Sequence, residues 1–128
     1  MPKQFEQELI VEKESIDDLQ HVNNVQYLQW VQDIAKAHWE SAATKEMLEK
    51  YVWVVLNHYI EYKGQAFLDD ELTIKTFVEK SSGVTSTRIV EIFKDGALIT
   101  KATTNWCLLD ASTKRPTRIT EELIEIFA

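Results

Sequence analysis

The residues best placed to do chemistry lie in one stretch, Ser15-Ile16-Asp17-Asp18-Leu19-Gln20-His21-Val22-Asn23-Asn24-Val25-Gln26-Tyr27-Leu28-Gln29-Trp30. Asp17 precedes by six or seven residues the start of a strongly amphipathic segment, with Asn23 or Asn24 suited to cap it. A helix N-terminus carries unpaired backbone N–H groups and the positive end of a dipole. A carboxylate beside such a terminus makes an acid next to an anion-stabilising site. A carbonyl resting on those amides becomes a better electrophile, and the oxyanion that develops is stabilised there. The carboxylate can attack that carbonyl or take a proton from water. The apparatus suits acyl transfer from a good leaving group such as a thiolate. It suits amides poorly, because no acid is placed for a departing amine.

Each of these residues has a plainer reading beside the chemical one. Asp17 can be a turn carboxylate, with Asp18 its neighbour and rival. His21 can orient Asp17, touch substrate, or simply bond the loop backbone. Asn23 and Asn24 can act only as capping and loop-fixing groups. Tyr27 falls on the apolar side of the helix, where core packing competes with substrate contact. His58 lies among aromatic residues of a strand and reads as a structural histidine. The lone cysteine, Cys107, sits in an apolar strand and reads as a small buried hydrophobe. Trp30, Trp39, Trp53 and Trp106 are expected in the core, an interface or an acyl pocket. No metal site is expected: there is no CxxC, and His21, His38 and His58 make no i, i+4 pair.

The elements that must hold this stretch follow from periodicity. Gln4 to Val11 reads as a strand and Lys13 to Gln20 as a polar loop. Tyr27, Leu28, Val31, Ile34, Ala35 and His38 form the apolar stripe of a helix of about four turns. Ser41 to Lys50 reads as a short second helix. Strands are then expected over Tyr51 to Lys63, Leu72 to Glu79, Val84 to Phe93 and Ala97 to Asp110. Ser81-Ser82-Gly83 is a turn, and Asp95-Gly96 is a two-residue hairpin signal because both residues tolerate positive φ. Lys114 to Arg118 is a basic turn, and Thr120 caps a short closing helix to Phe127. Helix and strands segregate, so the class is α+β, with the sheet running as a long meander around the helix. The two edges of a five-stranded sheet need cover or a partner, which points to a homo-oligomer.

Composition bounds the rest. The 128 residues fit one domain, 1–128; 45% hydrophobic and 27% charged residues with 3 Gly and 2 Pro describe an ordered globular chain. The longest apolar run, Tyr51 to Leu56, is far short of the roughly 20 residues of a membrane helix. The N-terminal residues lack the apolar core of a signal peptide, so the cytoplasm is the expected compartment. A net charge of −7 with no long basic run argues against nucleic acid and anionic membranes as partners.

Asp17-x-x-Gln20-His21-Val22-Asn23-Asn24-x-x-Tyr27 resembles the D-x-x-G-H-V-N-N-x-x-Y signature of hotdog-fold acyl-CoA thioesterases of the 4-hydroxybenzoyl-CoA thioesterase-like group. Tyr59-Ile60-Glu61-Tyr62 with Leu68-Asp69-Asp70-Glu71-Leu72 resembles the second segment of that family, and the element order is similar over nearly the whole chain. The resemblance implies a hotdog fold, a long central helix wrapped by a five-stranded antiparallel sheet. It also implies a homodimer or homotetramer with active sites at the subunit interface. By the same resemblance Asp17 is nucleophile or general base, the Asn24 backbone amide polarises the thioester carbonyl, and no cofactor or metal is needed, coenzyme A being part of the substrate. His21 is carried as a further catalytic candidate, and Gln20, Asn23 and Tyr27 as substrate contacts. The phosphates of coenzyme A should meet basic groups, with Lys63, Lys80, Arg88 and the cluster Lys114, Arg115 and Arg118 as candidates; Arg88 and the Ser82-Gly83 turn are preferred. The sequence departs from the family at Gln20, where glycine is usual, and at Gly64-Gln65, where proline is frequent. The expected activity is hydrolysis of an acyl-CoA to a carboxylic acid and coenzyme A. Hydrolysis of acyl-carrier-protein thioesters and a non-catalytic acyl-binding module are the alternatives.

Overall fold

The computed structural model describes residues 2–128. It comprises β1 (Phe5–Ile10), a short 3-10 turn (Lys13–Ser15), α1 (Asn24–Ala42), α2 (Lys45–Lys50), β2 (Tyr51–Tyr62), β3 (Glu71–Ser82), β4 (Thr85–Lys94), β5 (Ala97–Asp110) and α3 (Glu121–Glu125). The five strands form one antiparallel sheet in the order β1-β3-β4-β5-β2. The expected α+β class and five-stranded sheet around a long helix are present.

The meander is shorter than the sequence suggests. Only β3, β4 and β5 are consecutive neighbours; β2 lies beyond β5, at the opposite edge from β1. The chain leaves α1 and α2 on the far side of the sheet, so β2 joins at that edge. The connection through residues 63–70 then returns across about 14 Å, three strand spacings, to reach β3. Eight residues span that distance easily, and no local pattern distinguishes this route from a hairpin.

The stripe on α1 faces the sheet. Tyr27, Trp30, Val31, Ile34, Ala35 and His38 are its buried residues. Of these, Tyr27, Trp30, Val31 and Ile34 meet Val11, Leu72, Ile74, Val90, Ile92, Ile99 and Ala102 in the main core. Each fully buried aliphatic side chain of this set contributes about 1.5–3 kcal/mol. A second, smaller core joins Met47, Tyr51, Leu108, Ile119 and Leu123, with Trp39 and Trp53 packed against it. Helix ends follow side-chain chemistry. Asn23 Oδ1 accepts from the Val25 amide at 2.8 Å, so Asn23 is the cap and Asn24 the first helical residue. The segment read as one helix from Ser41 is divided. Ser41 and Ala42 finish α1, Ala43 is extended, and Thr44 starts α2 by accepting from the Met47 amide. Thr120 does the same for α3 through the Leu123 amide. Asp95 and Gly96 both have positive φ, as their hairpin requires.

His38 of α1 and Arg88 beneath it form a polar pair in the interior. Arg88 on β4 donates from Nη1 to His38 Nδ1 at 2.8 Å and to Thr76 Oγ1 at 3.0 Å. His38 stacks on Phe5 and meets Phe127 edge-on. Burial, helped by the Arg88 charge, pushes the His38 imidazole down to about 4 from 6.5. The ring is therefore neutral and uses its Nδ1 lone pair to accept from Arg88.

The loop into α1 is tightly closed. Ile16 and Val22 form an isolated bridge, and the Asp17 amide donates to the His21 carbonyl at 2.8 Å. The turn between them places Gln20 at φ 68, in the left-handed region. The loop thus keeps a glycine-type backbone with a side chain at the glycine position, and Gln20 is exposed. Left-handed backbone costs an L-residue about 1–2 kcal/mol.

Two outcomes follow. Between pH 6.5 and 4 an unfolded His38 binds a proton that the folded one refuses, so folded stability declines as pH falls through that window. A His38→Gln variant removes this term, and thermal melts should show wild type losing stability relative to it on acidification; parallel melting curves would contradict the assignment. Gln20→Gly is expected to leave stability unchanged or raise it by up to about 1 kcal/mol, whereas the β-branched Gln20→Val should lower it by more than about 1 kcal/mol. Urea unfolding separates the two.

Candidate active site

A cavity of about 590 Å³ opens where the Asp17 loop, the start of α1 and the end of β2 converge. Asp17, His21, Asn23, Asn24 and Tyr27 line it together, as the motif requires. Asp17 is half-buried, and its Oδ1 accepts from the amides of Leu19 at 2.9 Å and His21 at 3.2 Å. These two bonds fix the carboxylate plane within the turn, and Oδ2 accepts from no group among the described residues. Asp18 is exposed and does not line the cavity.

The Asn24 amide is the first of the helix. The neighbouring amides are occupied: Asn23 donates to the Ser15 carbonyl, Val25 to the Asn23 side chain and Gln26 to the Asn23 carbonyl. None among the described residues accepts from Asn24. The Asn24 N–H is thus free at the start of the helix, with the positive end of the dipole behind it, and Asn24 lines the same cavity as Asp17.

His21 supports Asp17 through its backbone rather than its ring. The imidazole packs edge-on against Phe67 at 5.4 Å and makes no hydrogen bond to the carboxylate. Tyr27 is buried, and burial raises its phenol above its ordinary value. Its hydroxyl accepts from the Ala66 amide at 3.1 Å, while Val22 donates to the Ala66 carbonyl. Ala66 therefore ties both α1 and the Asp17 loop to the 63–70 connection. Gln20 does not line the cavity, although its turn shapes the Asp17 backbone.

The structure adds Tyr62, Gly64 and Gln65 to the walls, beside the expected Lys63. Lys63 is the basic candidate found at this cavity, half-exposed and 3.8 Å from Glu61. A Cβ on Gly64 would lie 2.9 Å from Ile99 Cγ2, so a residue without one fits where the chain passes β5. The signal for this segment was its departure from the family proline; sequence spacing could not show that residues 63–65 fold back beside Asp17. The remaining candidates are elsewhere. Ser82 and Gly83 form the exposed β3–β4 turn, with Gly83 at φ 63. Arg88, expected to meet phosphate, is only 5% exposed, bonded beneath α1, and does not line the Asp17 cavity. Lys80, Lys114, Arg115 and Arg118 are solvent-exposed and do not line the cavity. His58 donates to or accepts from Thr104 Oγ1 at 2.7 Å, in keeping with its structural reading, and Cys107 is buried. No cluster of three or more metal-ligating side chains occurs among the described residues, and no helix there is long and apolar enough to cross a membrane.

The long-chain acyl-CoA thioesterase FadM of Escherichia coli is 25% identical over 117 residues, covering 86% of each chain. Among solved structures, the probable thioesterase YbaW of Escherichia coli superposes with a TM-score of 0.84 at 24% identity, over 94% of each chain. A Staphylococcus aureus protein solved in complex with CoA superposes with a TM-score of 0.85 at 17% identity, over 98% of this chain and 82% of that one. The family model for the acyl-ACP thioesterase N-terminal domain matches residues 2–127. The chain belongs to that family, and is a thioester hydrolase of the hotdog fold.

Proposed function

We propose that the chain hydrolyses acyl-CoA thioesters in the cavity between the Asp17 loop and the N-terminus of α1. The observation that carries this reading is the shared wall of Asp17 and the unpaired Asn24 amide. The thioester carbonyl oxygen accepts from the Asn24 N–H, which strengthens as the oxygen becomes an oxyanion. Asp17 then acts in one of two balanced ways. It adds to the carbonyl carbon, the C–S bond breaks, the thiolate carries off the electron pair, and water hydrolyses the resulting anhydride. Alternatively it takes a proton from a water that adds to the carbonyl, and the thiolate leaves from the tetrahedral intermediate. Lys63 at the rim is suited to a phosphate of coenzyme A.

The family description favours a second reading, an acyl-carrier-protein thioester as substrate. The net charge of −7 opposes it, because acyl carrier proteins are themselves acidic and like charges slow encounter. FadM, the relative above, acts on long-chain acyl-CoA, which supports the coenzyme A reading.

A homodimer completes this proposal. β2 is paired on one side only, with β5, and leaves Val54, Leu56, Tyr59 and Tyr62 exposed. A long apolar free edge is a template for strand pairing. A second copy on β2 would extend the sheet and cover the cavity beside Tyr62, and light scattering should report the mass of two chains.

The decisive assay is thiol release from short, long and aromatic acyl-CoAs, with Asp17→Asn beside wild type. Asparagine keeps the oxygen that accepts from Leu19 and His21, so the fold is retained. Turnover should fall by about 10²–10⁴-fold. A folded Asp17→Asn protein working at the wild-type rate would falsify the mechanism, and carrier-linked substrates turning over much faster than their coenzyme A equivalents would select the second reading.

A further inference from the structure

A second cavity, of about 610 Å³, lies beneath the C-terminal half of α1, against the concave face of the sheet. Its size is that of a ligand site. It shares no lining residue with the Asp17 cavity. Trp39, Trp53, Trp106 and Phe127 supply apolar walls, and Arg88 and Ser86 the polar groups from β4. The exposed Asp33, Lys36 and Glu40 of α1 stand at its solvent side.

Arg88 is the unusual feature. It is almost fully buried, yet no carboxylate among the described residues pairs with it. Both of its hydrogen bonds leave from one nitrogen, Nη1, to the neutral His38 and to Thr76. The guanidinium also lies 5.2 Å from the Phe127 ring centroid. These contacts supply lone pairs and a π-face but no negative charge. Burial lowers its pKa to about 10, which leaves it cationic near neutral pH. An uncompensated buried cation is costly, and guanidinium has five N–H donors arranged to take a carboxylate in bidentate fashion. Trp106, on the same wall, has an indole N–H that is buried without a partner.

We propose that this cavity binds a hydrocarbon body ending in a carboxylate, with Arg88 donating to the carboxylate and the tryptophans packing on the chain. The ligand is a free long-chain carboxylic acid, the class of product that thioester hydrolysis releases.

The tryptophan walls provide the readout. Intrinsic fluorescence titrated with dodecanoate and with dodecanol, near neutral pH, should show the acid binding at least about tenfold more tightly. Arg88→Met should abolish the difference, Arg88→Lys should keep part of it, and Asp17→Asn should leave it unchanged. Equal affinity for acid and alcohol in wild type, or a preference that persists in Arg88→Met, overturns the proposal; the wild-type comparison decides it even where a variant does not fold.

Discussion

Everything in this fold depends on α1 being buried in the curve of a single sheet. A five-stranded antiparallel sheet with one apolar face cannot remain open to water, and an amphipathic helix takes most of its stability from packing its apolar face. Each supplies what the other lacks. Ile34, Val31 and Tyr27 press on Leu72, Ile74, Val90 and Ile92, and that contact fixes the position and direction of the helix. Once the direction is fixed, so is the point in space where its N-terminal amides emerge. The catalytic reading of this chain is therefore a consequence of core packing one or two turns away.

The loop before the helix translates that position into geometry. Its carboxylate is held by amides of its own turn, and its ends are bridged through Ile16 and Val22. Ala66 joins Val22 and Tyr27 by both of its backbone groups, so loop, helix and the return connection from β2 move together. An oxyanion donor and a carboxylate need agreement within fractions of an ångström to cooperate. Here the Asn24 amide and the Asp17 carboxylate, to which the proposed mechanism gives those roles, are tied by a closed set of short hydrogen bonds instead of by long flexible side chains.

What the sequence disclosed was local, and what it concealed was not. Asn23, Thr120 and Asp95-Gly96 were readable because capping and tight turns depend on residues within a few positions of one another. The spacing of Asp17, Asn23 and Asn24 brought one wall of the site into view for the same reason. The place of β2 in the sheet was not readable, since alternation tells which face a strand buries and not which strand it neighbours. Thr44 was missed because its helix is shorter than two turns, too brief for periodicity to declare a boundary. Gln20 carried the opposite lesson: its side chain departs from the family, but the backbone beneath it does not. Arg88 misled most, because an arginine in an alternating strand is ordinarily a solvated charge. Only the tertiary partners His38, Thr76 and Phe127, from three other elements or their flanks, make its burial possible.

That burial also explains why the interior is divided. Along α1 the apolar stripe runs from Tyr27 to Ala35, is interrupted by His38, and resumes at Trp39 against the smaller core. A sequence selected only for stability would fill the interruption with an aliphatic residue, because a buried cation with neutral partners is weak support for a fold. Replacing His38 and Arg88 by hydrocarbon would merge the two cores and close the space between them. The polar pair instead keeps the second cavity walled on one side by a charge that cannot collapse into its neighbours. The small Ser86, two residues from Arg88 on β4, leaves room beside it where a larger side chain would not. A helix whose first turn borders the Asp17 cavity thus holds open, about 20 Å further along its axis, a space whose chemistry its own stripe does not require.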